Sequence, residues 1–589
     1  MSVEKLITDH IDIWTSALQT RSTAGRGSNG KIDLYGIKKL RELILELAVR
    51  GKLVPQDPND EPASELLKRI AAEKAELVKQ GKIKKQKPLP EISEDEKPFE
   101  LPSGWEWQRL IELGSWAIGS GFPTSIQGIT SEDILMCKVS DMNLQGNEKY
   151  IKATNNTISE ESAIQRKINV SEPGTVIFPK IGGAIATNKR RILVKKTAID
   201  NNCLGIRPFE RINLEWFFLI LNAIDMAKYQ SGTSVPAINQ SVIGNIVIAL
   251  PSECMQARIV AKVEELMSLC DQLEQQSLTS LDAHQQLVET LLTTLTDSQN
   301  AEELAENWAR ISQHFDTLFT TEASIDALKQ TILQLAVMGK LVKQDPNDEP
   351  ASELLKRIEQ EKAQLVKEGK IKKQKPLPPV NDEEKPFALP VGWEWCLIDD
   401  LALVTGGIQK QPKRRPVNNH YPYLRVANVQ RGYINIDDLE RFELEDHELN
   451  SWSLKYGDML IVEGNGSADE IGRCAIWEQS IDDCVYQNHL IRVRQYIDGS
   501  QHFISGYLNS PSGVKEMQRL AVTTSGLYNL SVGKIRNIMI PIPPINEQEK
   551  ILTQMDKFLI ICDSLKSHLQ SAQQTQLHLA DALTNAALN

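Results

Sequence analysis

The chain has 589 residues, of which 41% are hydrophobic, and 66 Lys and Arg against 78 Asp and Glu leave a net charge of -12. That length exceeds what one hydrophobic core serves and predicts several domains. The acidic balance excludes a generally adhesive polycation and leaves any contact with nucleic acid to a local basic surface or to a partner subunit. The eight cysteines, Cys137, Cys203, Cys254, Cys270, Cys396, Cys474, Cys484 and Cys562, form no C-x-x-C pair and read as reduced thiols, not a disulfide framework or a zinc site. No apolar run approaches the roughly 18 to 20 residues that span a bilayer, and "MSVEKLITDHIDIW" is too acidic and interrupted for a signal peptide. The reading is a cytoplasmic protein with no membrane contact.

In chain order, the first motif is "GRGSNGKI" (Gly25 to Ile32), which approaches the phosphate-binding pattern G-x-x-x-x-G-K-[ST] but puts Ile32 where a magnesium-binding hydroxyl belongs. No strand precedes it, so it reads as a flexible tether. Ile37 to Val49 has apolar residues at helical spacing. A Pro/Asp turn, "QDPNDEP", follows, then the helix "ASELLKRI", the basic run "GKIKKQK" and a proline-rich linker that ends in "GWEW". This cassette recurs: Gly51 to Trp107 matches Gly339 to Trp395 without a gap at 45 of 57 positions. The helix before it recurs as Ile325 to Val337.

A second repeat lies downstream. Asn245 to Leu273 aligns with Asn537 to Leu565, each reading as a short strand that ends at proline and then a long helix. Both helices carry an apolar seam at spacings of four and three: Ile259, Val263, Leu266, Cys270 and Leu273 in one, and Ile551, Met555, Phe558, Cys562 and Leu565 in the other. The matching seams predict that the two helices pack on each other. The division is residues 1–100, N-terminal helices, tether and first frame repeat; 101–251, a recognition domain; 252–300, a spacer helix; 301–388, the second frame repeat; 389–543, a second recognition domain; and 544–589, a C-terminal spacer helix.

The two inserts are rich in short strands and turns, and they share only faint patterns. "EPGTVIFPKIGGAIA" (Glu172 to Ala186) resembles "KYGDMLIVEGNGSAD" (Lys455 to Asp469), and "DNNCLGIRP" (Asp200 to Pro208) resembles "YQNHLIRVR" (Tyr486 to Arg494). They read as one fold with two recognition surfaces. No H-E-x-x-H, no G-x-S-x-G, no adenine-methyltransferase pattern and no ligand-spaced pair of histidines occurs, which points to binding instead of catalysis and to no metal site. Each insert concentrates cations once. "KRRILVKK" offers Lys189, Arg190, Arg191, Lys195 and Lys196, and "KQPKRR" offers Lys410, Lys413, Arg414 and Arg415. A charge run is ordinarily solvated surface, but two such runs in dissimilar inserts suit groove binding, with arginine to guanine edges and lysine to phosphates.

Two variable inserts in a duplicated frame, "GWEW" entering each insert and "IPPINEQEKI" (Ile542 to Ile551) leaving the second, together resemble the specificity subunit of a type I restriction-modification enzyme. "LPSECMQARI" (Leu250 to Ile259), which leaves the first insert, departs from that pattern at the Pro-Pro and Glu-Gln positions. The resemblance implies a mixed α+β fold: two α/β target-recognition domains joined by long antiparallel coiled-coil-like helices, with an internal pseudo-twofold repeat. It implies that each domain reads one half of a bipartite asymmetric site on double-stranded DNA and that the helical frame sets the spacer. It further implies no catalysis and no cofactor in this chain. S-adenosylmethionine, ATP and magnesium would be held by two modification (methyltransferase) subunits and by ATP-dependent restriction subunits. The residues alone leave open a non-catalytic assembly scaffold without sequence-specific DNA binding, and a cryptic DNA enzyme.

Overall fold

A computed structural model describes residues 3–21, 31–83, 89–232, 236–378, 380–411, 414–467, 470–524 and 527–588. Most of the "GRGSNGKI" stretch, residues 84–88 in the first copy of "GKIKKQK" and its linker, and Lys413 lie outside the described residues. Among those described, no helix is long and apolar enough to cross a membrane. The chain divides into two compact units. One comprises Met1–Leu18, Leu34–Ser277 and Gln576–Asn589, and the other Gln19–Asp33 and Leu278–Thr575. Each unit gathers one frame repeat, one sheet-rich domain and parts of both long helices, Glu253–Asp297 and Ile545–Leu588. Contacts therefore group the segments by repeat and not by their order along the chain.

In the first unit, the helix Tyr35–Val49 buries Ile37, Leu40, Leu43, Ile44 and Leu47, a single stripe at helical spacing. It ends at Gly51, whose φ of +67° only glycine adopts freely. A Cβ there would also stand 2.6 Å from Pro102 and 2.8 Å from Trp105. In the second unit Gly339 repeats both constraints, with φ +69° and a Cβ position 2.5 Å from Pro390 and 3.0 Å from Trp393. The cassette then fastens three pieces together. The Ala63 amide donates to Gly104 at 2.8 Å, and the Ala351 amide to Gly392 at 2.9 Å. "GWEW" opens a strand in each unit. Glu106–Arg109 pairs with Val247–Leu250, and Glu394–Leu397 pairs with Met539–Ile542. Asp60 binds Arg258 at the start of one long helix, and Asp348 binds Lys550 at 3.0 Å at the start of the other. The identical residues of the repeat thus make the same mount twice.

Both domains are mixed α/β. The first has a five-stranded sheet whose core order is Gly114–Ile118, Cys203–Pro208, Val176–Pro179 and Arg191–Leu193. The second has Ala402–Gly406, Leu490–Gln495, Met459–Val462 and Cys474–Ile476 in the same order and antiparallel sense. The register places Cys203 opposite Pro179 and Leu490 opposite Val462. Cys203 therefore corresponds to Leu490, one residue away from the match suggested by "DNNCLGIRP" and "YQNHLIRVR". The apolar alternation of a strand tolerates such a slip on paper, whereas ladder hydrogen bonds do not.

The C-terminal seam meets the central helix as expected, but at Val288, Leu292 and Leu295, beyond that helix's own seam. In the second unit Met555, Phe558, Cys562 and Leu565 pack against Ile325, Leu328, Ile332 and Leu335 of the frame helix Glu322–Val337, and against Val288, Leu292 and Leu295 near the end of the central helix. Ile551 meets Ala336, Trp393 and Phe503. In the first unit Ile259, Val263, Leu266, Cys270 and Leu273 are all buried, and Arg41 of the frame helix donates to Asp271 at 2.6 Å and to Glu274 at 2.8 Å alongside them. Equal spacing identified the buried faces but could not name their partners, because the repeated frame helix offers an equally apolar stripe beside each seam. Leu328→Ala should therefore cost the second unit on the order of 2 to 5 kcal/mol, while exposed Ile560→Ala should shift stability by less than about 0.5 kcal/mol; urea unfolding of the two variants checks this.

Candidate nucleic-acid interface

The basic runs do not form the surfaces expected of them. Arg190 is 2% exposed. Its guanidinium donates to the carbonyls of Leu221 (3.1 Å) and Ile224 (3.2 Å), to Lys189 O (2.9 Å) and to Asn188 Oδ1 (2.7 Å), and it lies 5.4 Å from the centre of the Phe178 ring. It thereby caps the carboxyl end of the helix Leu214–Ala223, where carbonyls lack intrahelical partners and favour a cation. Burial pushes its pKa down to about 10. Arg191 donates to Met142 O at 2.9 and 3.2 Å and to Arg190 O at 2.7 Å, and burial lowers its pKa too. Neither arginine has its fork free for a guanine, so both are corrected from base contacts to structural donors.

The rest of the run is split by the strand Arg191–Leu193 that threads it. Lys189, bonded to Asn143, lies at one end of that strand. Lys195 and Lys196 are exposed beyond the other, with Lys196 paired to Glu160 at 3.0 Å. In the second domain Lys410 pairs with Glu440 at 2.8 Å, and Arg414 grips Glu448 through two hydrogen bonds of 2.8 and 3.0 Å. That grip holds the Glu448 carboxyl down at about 2. Arg415 is exposed.

A different place is built alike in both domains. In the first, the strands Gly114–Ile118 and Val176–Pro179 end, and Cys203–Pro208 begins, at one edge of the sheet. There the Lys180 amide donates to Asn202 O at 2.9 Å, the Ile238 amide donates to Lys180 O at 2.9 Å, and Ser120 bridges Asp200. In the second domain the Glu463 amide donates to His489 O at 3.0 Å, the Leu530 amide donates to Glu463 O at 2.7 Å, and Ile408 bridges Gln487. Two glycines permit the close approach. A Cβ on Gly119 would lie 1.9 Å from Asp200 O, and one on Gly407 would lie 2.1 Å from Gln487 O.

On this shared backbone the side chains differ. Asp200 and Asn202 of the first domain are replaced by Gln487 and His489, and Lys180 by Glu463, while Asn201 and Asn488 keep asparagine. Asn201, Asn202, Gln230 and Ser231 are exposed on the first platform, and His489 on the second. His489 Nδ1 lies 3.0 Å from Glu463 Oε2. Charge counting missed these positions because each holds a single polar residue. Their signal was the pair "FPKIGG" and "IVEGNG", an apolar strand that exits into a polar residue flanked by glycine. Among the described residues, no group of His, Cys, Asp and Glu is placed to hold a metal ion.

The Type I restriction modification DNA specificity domain matches residues 390–572. The chain is 51% identical to the type I restriction enzyme EcoEI specificity subunit of Escherichia coli, over 100% of both chains. The chain belongs to the family of type I restriction enzyme specificity subunits. It is also 50% identical over both full lengths to the EcoAI specificity subunit of Escherichia coli, and 27% identical to the EcoKI subunit of strain K12 over 29% of this chain and 37% of that one. For a specificity subunit built this way, Arg190→Ala should act on folding. Losing the cap leaves buried carbonyls unpaired, at a cost on the order of 1 to 3 kcal/mol, seen as a lower thermal midpoint with an unchanged target sequence.

Proposed function

We propose that this specificity subunit reads a bipartite, asymmetric duplex site, one half with each sheet-rich domain, through the platforms centred on Lys180 and Glu463. The observation that carries this reading is one backbone arrangement, held by corresponding hydrogen bonds, bearing different side chains in the two domains. A duplicated reader of one sequence would keep its side chains, whereas a reader of two sequences must change them while keeping the frame that aims them. The chain performs no chemistry in this reading. Two modification subunits dock on the helical frame and supply S-adenosylmethionine-dependent methyl transfer. Restriction subunits supply ATP- and magnesium-dependent cleavage, and the assembly works in the cytoplasm. A net charge of -12 supports a division of labour in which partner subunits provide much of the phosphate contact.

Exchanging residues 101–251 for the corresponding domain of a relative should change one half of the methylated site and leave the other half and the spacer as they were, read by mapping methylation in genomic DNA. A change in both halves contradicts the modular reading. Spacing is expected to follow the long helices. Four residues inserted near Gln276, inside Glu253–Asp297, add about 6 Å against about 3.4 Å per base pair. They also turn the helix by little more than one revolution, which keeps its apolar face in phase. The preferred spacer should lengthen by one or two base pairs on duplexes that differ only in spacer length.

A further inference from the structure

We propose that Lys180 and the Glu463–His489 pair are specificity-determining residues of the two half-sites. The Lys180 ammonium would take a base-edge acceptor, on guanine or thymine, and the Glu463 carboxylate an exocyclic amino group, on cytosine or adenine. This deepens the two-reader function and rests on it. Three observations carry it. The two residues occupy the same point of the fold: each follows the last residue of a central strand, each donates its amide to the turn before the next strand, and each accepts an amide from the neighbouring hairpin. Position is thus equal while charge is reversed, and that reversal exchanges donors for acceptors in the code displayed by the major groove.

The second observation is availability. Lys189, Lys196, Lys410 and Arg414 are already engaged with side-chain partners, and Arg190 and Arg191 are spent on carbonyls. The half-buried Lys180 side chain has no ion pair or hydrogen bond among the described residues. The third is preorganisation. Glu463 retains 32% exposure of its side chain while His489 Nδ1 sits 3.0 Å from Oε2, so one carboxylate oxygen is held and the other is left to accept. His489 is a positioning residue here: it orients the carboxylate, and its loss should blur the same base preference that Glu463 sets.

The test uses the complete complex with its modification subunits and maps methylated sites for Lys180→Met, Lys180→Arg, Glu463→Gln and His489→Ala. Lys180→Met should lose roughly 10-fold or more of its discrimination at one base pair of the first half-site, and Lys180→Arg should restore a guanine preference there. Glu463→Gln and, more weakly, His489→Ala should relax one base pair of the second half-site only. A uniform fall in methylation across sequences, with both half-sites unchanged, would make Lys180 a phosphate contact and overturn the inference. So would full discrimination retained in every variant. Wild-type methylation of a site that is not bipartite would instead overturn the two-reader function beneath it. Unfolding midpoints of the four variants, expected to match the parent, separate a lost base contact from a lost fold.

Discussion

One backbone constraint organises each recognition domain: two strand exits and one strand entry are drawn so close that a side chain cannot fit between them. Gly119 and Gly407 stand where a Cβ would lie about 2 Å from a carbonyl oxygen of the opposing turn. With that approach made, the Lys180 and Glu463 amides reach the turn carbonyls, and the neighbouring hairpin adds its own hydrogen bond. The Lys180 and Glu463 main-chain groups are satisfied within the domain, so the side chains of these two residues need not serve the fold. This leaves them free to vary. A half-site reader depends on that separation between an invariant scaffold and replaceable side chains.

The frame obeys the opposite rule. Several of its repeated residues are engaged in the same way in both copies. Gly51 and Gly339 turn the helix end against a tryptophan and a proline, and Asp60 and Asp348 hold the start of a long helix. The two copies part where "GWEW" is received. The Trp105 indole donates to Gln56 at 2.9 Å, whereas the Trp393 indole donates to Glu547 at 3.0 Å, and Glu547 in turn accepts from Gln344 at 3.1 Å. Burial raises the Glu547 pKa, and the hydrogen bonds from Gln344 and Trp393 partly offset that rise. The departure of "LPSECMQARI" from "IPPINEQEKI" is the sequence trace of this difference. Met255 stands where the other copy has Glu547, and the tryptophan bonds directly to the glutamine instead.

How much was legible in the sequence follows from what each feature needs. The repeat, the frame helices and the mixed α/β character depend on apolar spacing and turn residues, which are local, and they are visible in Ile37 to Val49 or in "QDPNDEP". The partners of the Ile551 to Leu565 seam were not legible, since apolar stripes of equal period on Glu322–Val337 and on the end of Glu253–Asp297 compete for the same face. Nor was the fate of Arg190. A cation beside other cations looks like surface until the helix Leu214–Ala223 brings the Leu221 carbonyl, 31 residues away, into reach. Lys180 and Glu463 went unnoticed for the converse reason. The pair "FPKIGG" and "IVEGNG" already sets them level, but what singles them out is the hydrogen bonding of their amides to the turns at Asn202 and His489, which no local pattern displays.

The central claim is that the edge bearing Gly119, Lys180 and Asn202, with its counterpart at Gly407, Glu463 and His489, is the face laid against DNA. Amide hydrogen exchange of the assembled complex, with and without its target duplex, tests it most directly. The account predicts new protection at residues 119–121, 180–183 and 200–202, and at 407–411, 463–466 and 487–489, with little change around Lys195 and Lys196. Protection that instead centres on Lys195 and Lys196 and leaves both glycine-bearing edges exchanging as in the free complex would contradict it.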